Sequence, residues 1–287
     1  MHWVYLVLFT ALLQALKDVF IKRTVRRVHY IIVCWSYCVL TVVFLIPALA
    51  YVGIPEIKTE FWTALMMSGT LNTAAFLLYF KALHSSDLSI TVPMLTFTPL
   101  FMLITSPIIV GEFPSRMGLL GILLIVTGSY VLNARRLQKG FFAPFKALFH
   151  HKGPKLMFFV AVIWSVAANY DKIGLENSSP VFWLFAAFLF IAVTLTPIMI
   201  ILARSEIGQA FANAGNIACI GFFEAVSLIF QMAALTMTLV PYVVSVKRTS
   251  VIFGVVLGSL IFKEKGFKER MAGAALMVCG VLCVAFF

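Results

Sequence analysis

Ten long apolar runs dominate this chain of 287 residues and constrain its fold more than any other feature. Each run holds about twenty mainly apolar residues, which is the length that an α-helix needs to cross the hydrocarbon core of a bilayer. Helices are predicted because lipid offers no hydrogen-bond partner to an unpaired backbone group. The predicted spans are 2–21, 29–51, 61–82, 88–110, 117–134, 156–174, 180–203, 214–236, 239–262 and 270–287.

The composition excludes a water-soluble globular domain. Hydrophobic residues make up 62% of the chain and charged residues only 11%, against roughly a half and a quarter in soluble domains. The net charge is +11, but most basic residues fall in loops between the apolar runs, where they set topology. We therefore predict an all-α integral membrane protein whose partner is the lipid bilayer and not a nucleic acid.

The chain divides into two similar halves. A first five-helix repeat is predicted at 1–135 and a second at 156–287, joined by an amphipathic linker at 136–155. Because five spans is an odd number, the two halves must have opposite orientations, which places a substrate site near the midplane between them. Pairs matched at an offset of 152 residues are Ala82 and Ala234, Leu83 and Leu235, Glu112 and Glu264, Gly121 and Gly273, and Gly128 and Gly280; Lys22 and Lys172 match at 150.

These motifs resemble the EamA family of the drug/metabolite transporter superfamily. Each half ends with an alanine-leucine pair, a polar turn, an apolar helix, an acidic turn around Glu112 or Glu264, and a glycine-containing final helix. Trp164 followed by Lys172 also fits the family's first-helix pattern, whereas the first half has Gln14 where that tryptophan would stand. The resemblance implies a ten-helix transporter fold and favours a bacterial inner membrane, with an organelle membrane left open.

The basic residues predict the orientation of the chain. Of the 22 Lys and Arg residues, sixteen follow odd-numbered spans and three follow even-numbered ones. The positive-inside rule then places both termini outside the cell. The family resemblance implies the opposite, with both termini in the cytoplasm, and we favour the charge distribution.

Lys247 and Arg248 are the most informative charged residues, because they lie well inside the predicted ninth span. A charged side chain at the bilayer centre costs about 2.5–3.5 kcal/mol on insertion scales, so such residues face a wet cavity or one another. Arginine suits a phosphate or carboxylate through its planar fork, and lysine adds a compact second charge. The pair resembles the phosphate-binding pair of the triose-phosphate and nucleotide-sugar branch of the superfamily. The alternative is that both residues pair with Glu224 and hold helices together.

Polar residues on other spans complete the predicted site. Glu224, Ser227 and Gln231 form a stripe on the eighth span, and Asn72 is the repeat mate of Glu224 at an offset of 152. Glu224 is a candidate carrier of a coupling proton or a counter-ion to Lys247 or Arg248, and both roles stay open. The full set of predicted substrate-binding residues is Lys247, Arg248, Glu224, Asn72, Ser227, Gln231, Gln14, Lys17, Asn169 and Tyr242.

The predicted function is secondary transport of a small organic anion, with phosphorylated solutes included, by alternating access through a central cavity. Two alternatives stay open: an exporter of amino acids or other metabolites, and a flippase of a phosphorylated polyprenyl lipid. The sequence contains no nucleotide-binding motif, catalytic constellation or metal-ligand spacing, so we predict no enzyme activity, cofactor or metal. A homodimer through the glycine-containing helices 5 and 10 is also predicted.

Overall fold

The computed structural model of the chain describes residues 2–25, 27–86, 91–134, 150–262 and 267–286. Its regular structure is helical, and these residues contain no β-strand. The α-helices are α1 (His2–Thr24), α2 (Tyr30–Val52), α3 (Glu60–Ser85), α4 (Thr98–Ile109), α5 (Arg116–Ala134), α6 (Lys152–Glu176), α7 (Pro180–Ala203), α8 (Ala214–Leu235), α9 (Val240–Lys247), α10 (Ser250–Phe262) and α11 (Phe267–Phe286). Two short helical turns, Arg204–Glu206 and Gly208–Ala212, connect α7 to α8.

Seven helical segments in the described residues are long and apolar enough to cross a membrane. They are His2–Ile21, Tyr30–Val52, Glu60–Ser85, Lys152–Glu176, Pro180–Glu206, Ala214–Leu235 and Val240–Leu257. Three shorter apolar helices, Met94–Ile109, Arg116–Leu132 and Met271–Phe286, fall where the predicted spans 88–110, 117–134 and 270–287 were placed. The prediction of an all-helical, multi-pass membrane protein is therefore confirmed at this level. The predicted linker lies mostly outside the described residues.

The fourth and ninth predicted spans are interrupted helices, with breaks whose positions the sequence prediction did not give. The chain forms a 3₁₀-helix at Val92–Phe97 before α4 begins, because prolines at 93 and 99 remove backbone donors from this stretch. The ninth span breaks between α9 and α10, where the amides of Arg248 and Thr249 bond three residues back, as in a 3₁₀ turn. With the repeat offset of 152, the start of α4 at Thr98 corresponds to the start of α10 at Ser250.

Helices of one half pack mainly against helices of the other half, and the pairing is reciprocal. The first helix of the first half, α1, packs along α8, and the first helix of the second half, α6, packs along α3. In the same way, α1 packs on α10 and α6 packs on α4. The second helices of the two halves, α2 and α7, pack on each other, and so do the last helices, α5 and α11. Packing across the halves therefore assembles the molecule around the space between α1, α3, α6 and α8.

Glycines permit the close contact of α5 with α11. A side-chain carbon added at Gly128 would lie 2.6 Å from the carbonyl oxygen of Gly273, and one added at Gly280 would lie 2.6 Å from that of Gly121. Only glycine allows backbones to approach this closely. The glycine faces of the fifth and tenth predicted spans, α5 and α11, thus contact each other within one chain. A homodimer through these helices stays a prediction and would have to use their other faces.

A short turn connects α6 to α7 and shows how local sequence sets a helix start. Ser179 lies at the N-cap position, where its hydroxyl accepts a hydrogen bond from the amide of Phe182 at 3.4 Å. Pro180 occupies the first helical position, where its missing N–H leaves no donor unsatisfied. The serine-proline pair therefore fixes where the seventh span begins, and α7 and α6 then frame one side of the central space.

Candidate functional site

A cavity of about 500 Å³ lies between the two halves and is the best candidate for a binding site. Volumes of this size are typical of small-molecule sites. Helices α1, α3, α6 and α8 supply much of its wall, together with residues from both sides of the break between α9 and α10. Its charged lining residues, among those described, are Lys17, Asp18, Asp171, Glu224, Lys247 and Arg248.

Seven of the ten predicted site residues line this cavity. They are Gln14, Lys17, Asn72, Glu224, Gln231, Lys247 and Arg248. The structure therefore brings residues from the first, third, eighth and ninth predicted spans together. Their role in substrate binding stays a prediction.

The other three predicted residues lie in helix contacts. The Ser227 hydroxyl donates to the backbone oxygen of Thr10 at 3.3 Å, which ties α8 to α1. The amide oxygen of Asn169 accepts a bond from Ser106 at 2.7 Å, which ties α6 to α4. The Tyr242 hydroxyl accepts a bond from a backbone N–H just before α5 at 3.0 Å. None of these three residues lines the cavity, so the structure assigns them contacts between helices.

Glu224 is neutralised by a lysine that the sequence prediction did not pair with it. The Lys17 amine lies 2.5 Å from Oε2 of Glu224, and the two residues are only 6% and 5% exposed. The Tyr37 hydroxyl donates to the other oxygen, Oε1, at 2.6 Å. Glu224 therefore has its charge and its hydrogen bonds satisfied across the contact of α1 with α8. Among the described residues, Lys17 is the cation that lies within 4.0 Å of Glu224, and neither Lys247 nor Arg248 forms an ion pair with it at that distance.

Lys247 and Arg248 lack a carboxylate partner in the described part of the chain. The Lys247 amine donates to the neutral amide oxygen of Gln231 at 2.6 Å. The Nε atom of Arg248 is buried and has no hydrogen-bond partner among the described residues. Both side chains line the cavity at the break between α9 and α10. A buried cation without a fixed partner is available to an anionic group that enters the cavity.

Two further carboxylates line the cavity and did not belong to the predicted set. Oδ1 of Asp171 accepts a hydrogen bond from the Ser68 hydroxyl at 2.5 Å, and Asn72 donates to the same hydroxyl oxygen at 3.0 Å. Oδ1 of Asp18 accepts a bond from the Gln14 amide at 3.2 Å. Within the described part of the chain, no lysine or arginine amine lies within 4.0 Å of either carboxylate.

Aromatic rings form the apolar wall of the cavity. The Trp164 ring lies 6.1 Å from Phe76 and 5.4 Å from Tyr79, centroid to centroid. Phe76 in turn lies 6.0 Å from Phe188 and 5.6 Å from Tyr37. Sequence reasoning missed Phe76 and Phe188, because nothing distinguishes them from the other phenylalanines among the 28 in the chain. The cavity can thus hold an organic solute with a polar end and an apolar body.

A separate polar cluster joins the halves near the ends of α4 and α6. The carboxylate of Glu112 accepts hydrogen bonds from the amine of Lys172 on α6 and from the amide of Val240, at 2.7 Å for the latter. The same lysine donates to the carbonyl oxygen of Thr238 at 3.1 Å. We call Glu112, Lys172, Thr238 and Val240 the end clasp. Glu112 thus caps the start of α9 and pairs with a base, while its repeat mate Glu264 lies outside the described residues.

Comparison with known proteins finds a matching protein family and a similar solved structure. A model of the EamA-like transporter family matches residues 1–134 and 151–286, so it covers both halves of the chain. One crystal structure is similar over 99% of this chain and 97% of its own length, with a TM-score of 0.76 and 15% identity. At that identity the similarity shows a common fold alone. No curated protein matches the chain.

Proposed function

This chain belongs to the EamA-like transporter family, and from that premise we propose that it is a secondary transporter of a small organic anion. The anionic group, a carboxylate or a phosphate, binds to Lys247 and Arg248 at the break between α9 and α10. The apolar body of the solute lies against the aromatic wall around Phe76 and Trp164. The resemblance of the cation pair to that of the triose-phosphate and nucleotide-sugar branch supports the phosphorylated members of this class.

One observation carries the proposal. Lys247 and Arg248 both line the cavity and have no carboxylate within 4.0 Å among the described residues, whereas Lys17 in the same cavity pairs with Glu224 at 2.5 Å. Cations inside a membrane protein are unfavourable unless they are paired or functional. Lys17 meets the first condition, so the other two are the ones that need a ligand. Arginine adds a bidentate geometry for a planar anion.

The membrane arrangement that we propose has ten spans in two inverted repeats of five. It counts the seven long helices, with α9 and α10 together as the ninth span, and the three shorter apolar helices. The reciprocal packing of α1 on α8 and of α6 on α3 supports the repeat. The distribution of Lys and Arg supports termini outside the cell, and the family resemblance supports a bacterial inner membrane.

Alternating access is the mechanism that we propose for this architecture. In inverted-repeat transporters one half rocks against the other around a fixed central site, and the site often lies at broken helices. Both broken spans, at 92–98 and at 247–250, border the cavity, and the end clasp joins the two halves near the ends of α4 and α6. Opening of the clasp would separate the α4–α5 turn from the start of α9 and open that end.

The test measures ligand-dependent thermal stabilisation of the purified full-length protein, because a ligand that binds the folded state raises its apparent stability. The probes are 4-methylpentanoate, ethyl phosphate and a short-chain polyprenyl phosphate, with isopentanol as the neutral control. The proteins are wild type, the double variant Lys247→Gln with Arg248→Gln, and Lys81→Gln, which removes an exposed cation of α3.

We expect an anionic probe to stabilise wild type and Lys81→Gln but not the double variant. Stabilisation only by the polyprenyl phosphate would replace the soluble-anion proposal with the flippase. If isopentanol stabilised all three proteins as well as the anions do, the cation pair would not be a binding site.

A second candidate function, export of amino acids or related metabolites, is favoured by one specific observation. The carboxylates of Asp18 and Asp171 line the same cavity as the cation pair. A site for a simple anion has no need of them, whereas a solute that carries an amine as well as an acid would use at least one.

A further inference from the structure

The charge balance of the cavity constrains the solute more than the cation pair does. Among the described lining residues, three cations (Lys17, Lys247 and Arg248) face three carboxylates (Asp18, Asp171 and Glu224). The formal charges of the described lining residues therefore sum to zero. A solute that is only an anion would leave net negative charge within protein that lies in a membrane, where charge is poorly solvated. A solute with one positive and one negative group leaves the cavity neutral.

The three carboxylates are not equivalent. Glu224 is already neutralised, because the Lys17 amine lies 2.5 Å from it and the Tyr37 hydroxyl donates to its other oxygen. Asp18 is held by the amide of Gln14 at 3.2 Å, on its own helix. Asp171 is held by the Ser68 hydroxyl of another helix, α3, at 2.5 Å. Asp171 is thus fixed in position across a helix contact by a neutral donor and receives no charge compensation from it.

The two repeat-related helix contacts differ in whether a carboxylate is paired with a cation. The contact of α6 with α3 is the counterpart of the contact of α1 with α8. At the offset of 150 residues, the position that holds Lys17 in α1 holds Ala167 in α6. Ala167 is buried and lines the cavity, so the counterpart position carries no cation. One turn further along α6, Asp171 places a carboxylate in the contact of α6 with α3.

We propose that Asp171 binds an ammonium group of the transported solute, so that the solute is amphoteric and its acid end lies on Lys247 and Arg248. This inference rests on the proposed function and names the substrate class of the same site. Asp171 is a specificity-determining residue, and the Ser68 hydroxyl and the Asn72 amide position its carboxylate. An ammonium group would give this carboxylate a charge-assisted hydrogen bond, since no lysine or arginine lies within 4.0 Å of it among the described residues.

The test compares matched solutes that differ only in the amine. The pairs are leucine with 4-methylpentanoate, phenylalanine with 3-phenylpropanoate, and phosphoethanolamine with ethyl phosphate. Apparent dissociation constants come from thermal stabilisation of the purified full-length protein at a range of concentrations. The proteins are wild type, Asp171→Asn, Asp18→Asn and Glu176→Gln. Asparagine keeps the shape of the side chain and an oxygen that can accept from Ser68. Glu176 is a carboxylate with a side chain 54% exposed on the same helix and serves as the matched control.

We expect at least one amine-bearing solute to bind wild type roughly tenfold or more tightly than its partner without the amine, since a hydrogen bond to a charged group is at stake. Asp171→Asn should reduce this ratio to about twofold or less, with the amine-free partner bound as before, while Glu176→Gln leaves the ratio unchanged. The unchanged affinity of the amine-free partner also shows that the variant is folded.

Three outcomes would overturn the inference. Equal binding of both members of every pair to wild type would leave the anion site standing and remove the ammonium site. Loss of the preference in Asp18→Asn but not in Asp171→Asn would assign the ammonium group to α1. If no solute of any pair bound wild type, the proposed function would fail together with this inference.

Discussion

The two reciprocal helix contacts that flank the cavity, α1 with α8 and α6 with α3, have the same packing and different chemistry. The first contains a salt bridge between Lys17 and Glu224, and the Tyr37 hydroxyl donates a hydrogen bond to the same carboxylate. The second contains Asp171 with a serine hydroxyl and an asparagine amide. In the first contact the carboxylate is paired with a cation of the protein, and in the second we propose that an ammonium group of the solute supplies the cation.

This difference shows what a repeat does and does not preserve. Helix packing depends on size and on the close approach of backbones, which two similar halves can share. A binding site for an asymmetric solute needs different groups on its two sides, so side chains in the cavity diverge while the packing stays. On this view the contact of α1 with α8 holds the halves together. The contact of α6 with α3 and the break between α9 and α10 recognise the solute.

The largest expected effect comes from removing Lys17, the cation in the contact of α1 with α8. Lys17→Met leaves the Glu224 carboxylate buried without its counter-ion, which should lower the free energy of unfolding by about 3–5 kcal/mol. Reversible chemical unfolding in detergent micelles measures the loss. The double variant Lys17→Met with Glu224→Met should recover most of it, because no buried charge remains.

Lys81→Met is the control for this experiment, since it removes an exposed lysine of α3 and should change stability by a few tenths of a kcal/mol. If the double variant were as unstable as the single one, the salt bridge would not be what stabilises this contact.

A smaller effect is expected from the hydroxyl that closes the same salt bridge. Tyr37→Phe removes the 2.6 Å hydrogen bond to Glu224 and should cost about 1.5–3 kcal/mol, as is usual for a bond to a charged group. Tyr37 is 3% exposed and its ring is surrounded by Phe76, Phe80 and Phe188, so water has little room to replace the hydroxyl. Unfolding of Tyr5→Phe, at a position 68% exposed, is the control. A variant as stable as wild type would show that water enters this contact.

The sequence predicted the helices better than it predicted the difference between these two helix contacts. Long apolar runs located the helices and the lysine-arginine pair within the ninth span, because hydropathy is read directly along the chain, and the offset of 152 residues related the two halves. The pairing of Glu224 with Lys17 depends on how α1 is rotated against α8, and Tyr37 enters it from α2. Helix rotation and depth are set by packing across the halves, which one sequence does not encode in its local pattern. Asp171 did not belong to the predicted set, for the same reason.

The smallest expected effect comes from removing a hydrogen bond in the contact of α6 with α3. Ser68→Ala removes the 2.5 Å bond to Asp171, yet we expect a loss of only about 0.5–1.5 kcal/mol in the free energy of unfolding. Asp171 is half-buried and lines the cavity, so water can take the place of the lost donor. Thr70→Ala, on an exposed position of α3, is measured beside it by chemical unfolding. A loss as large as that of Tyr37→Phe would mean that both contacts are equally dry. Asp171 would then lie out of reach of a solute, and the division between a stabilising contact and a recognising contact would fail.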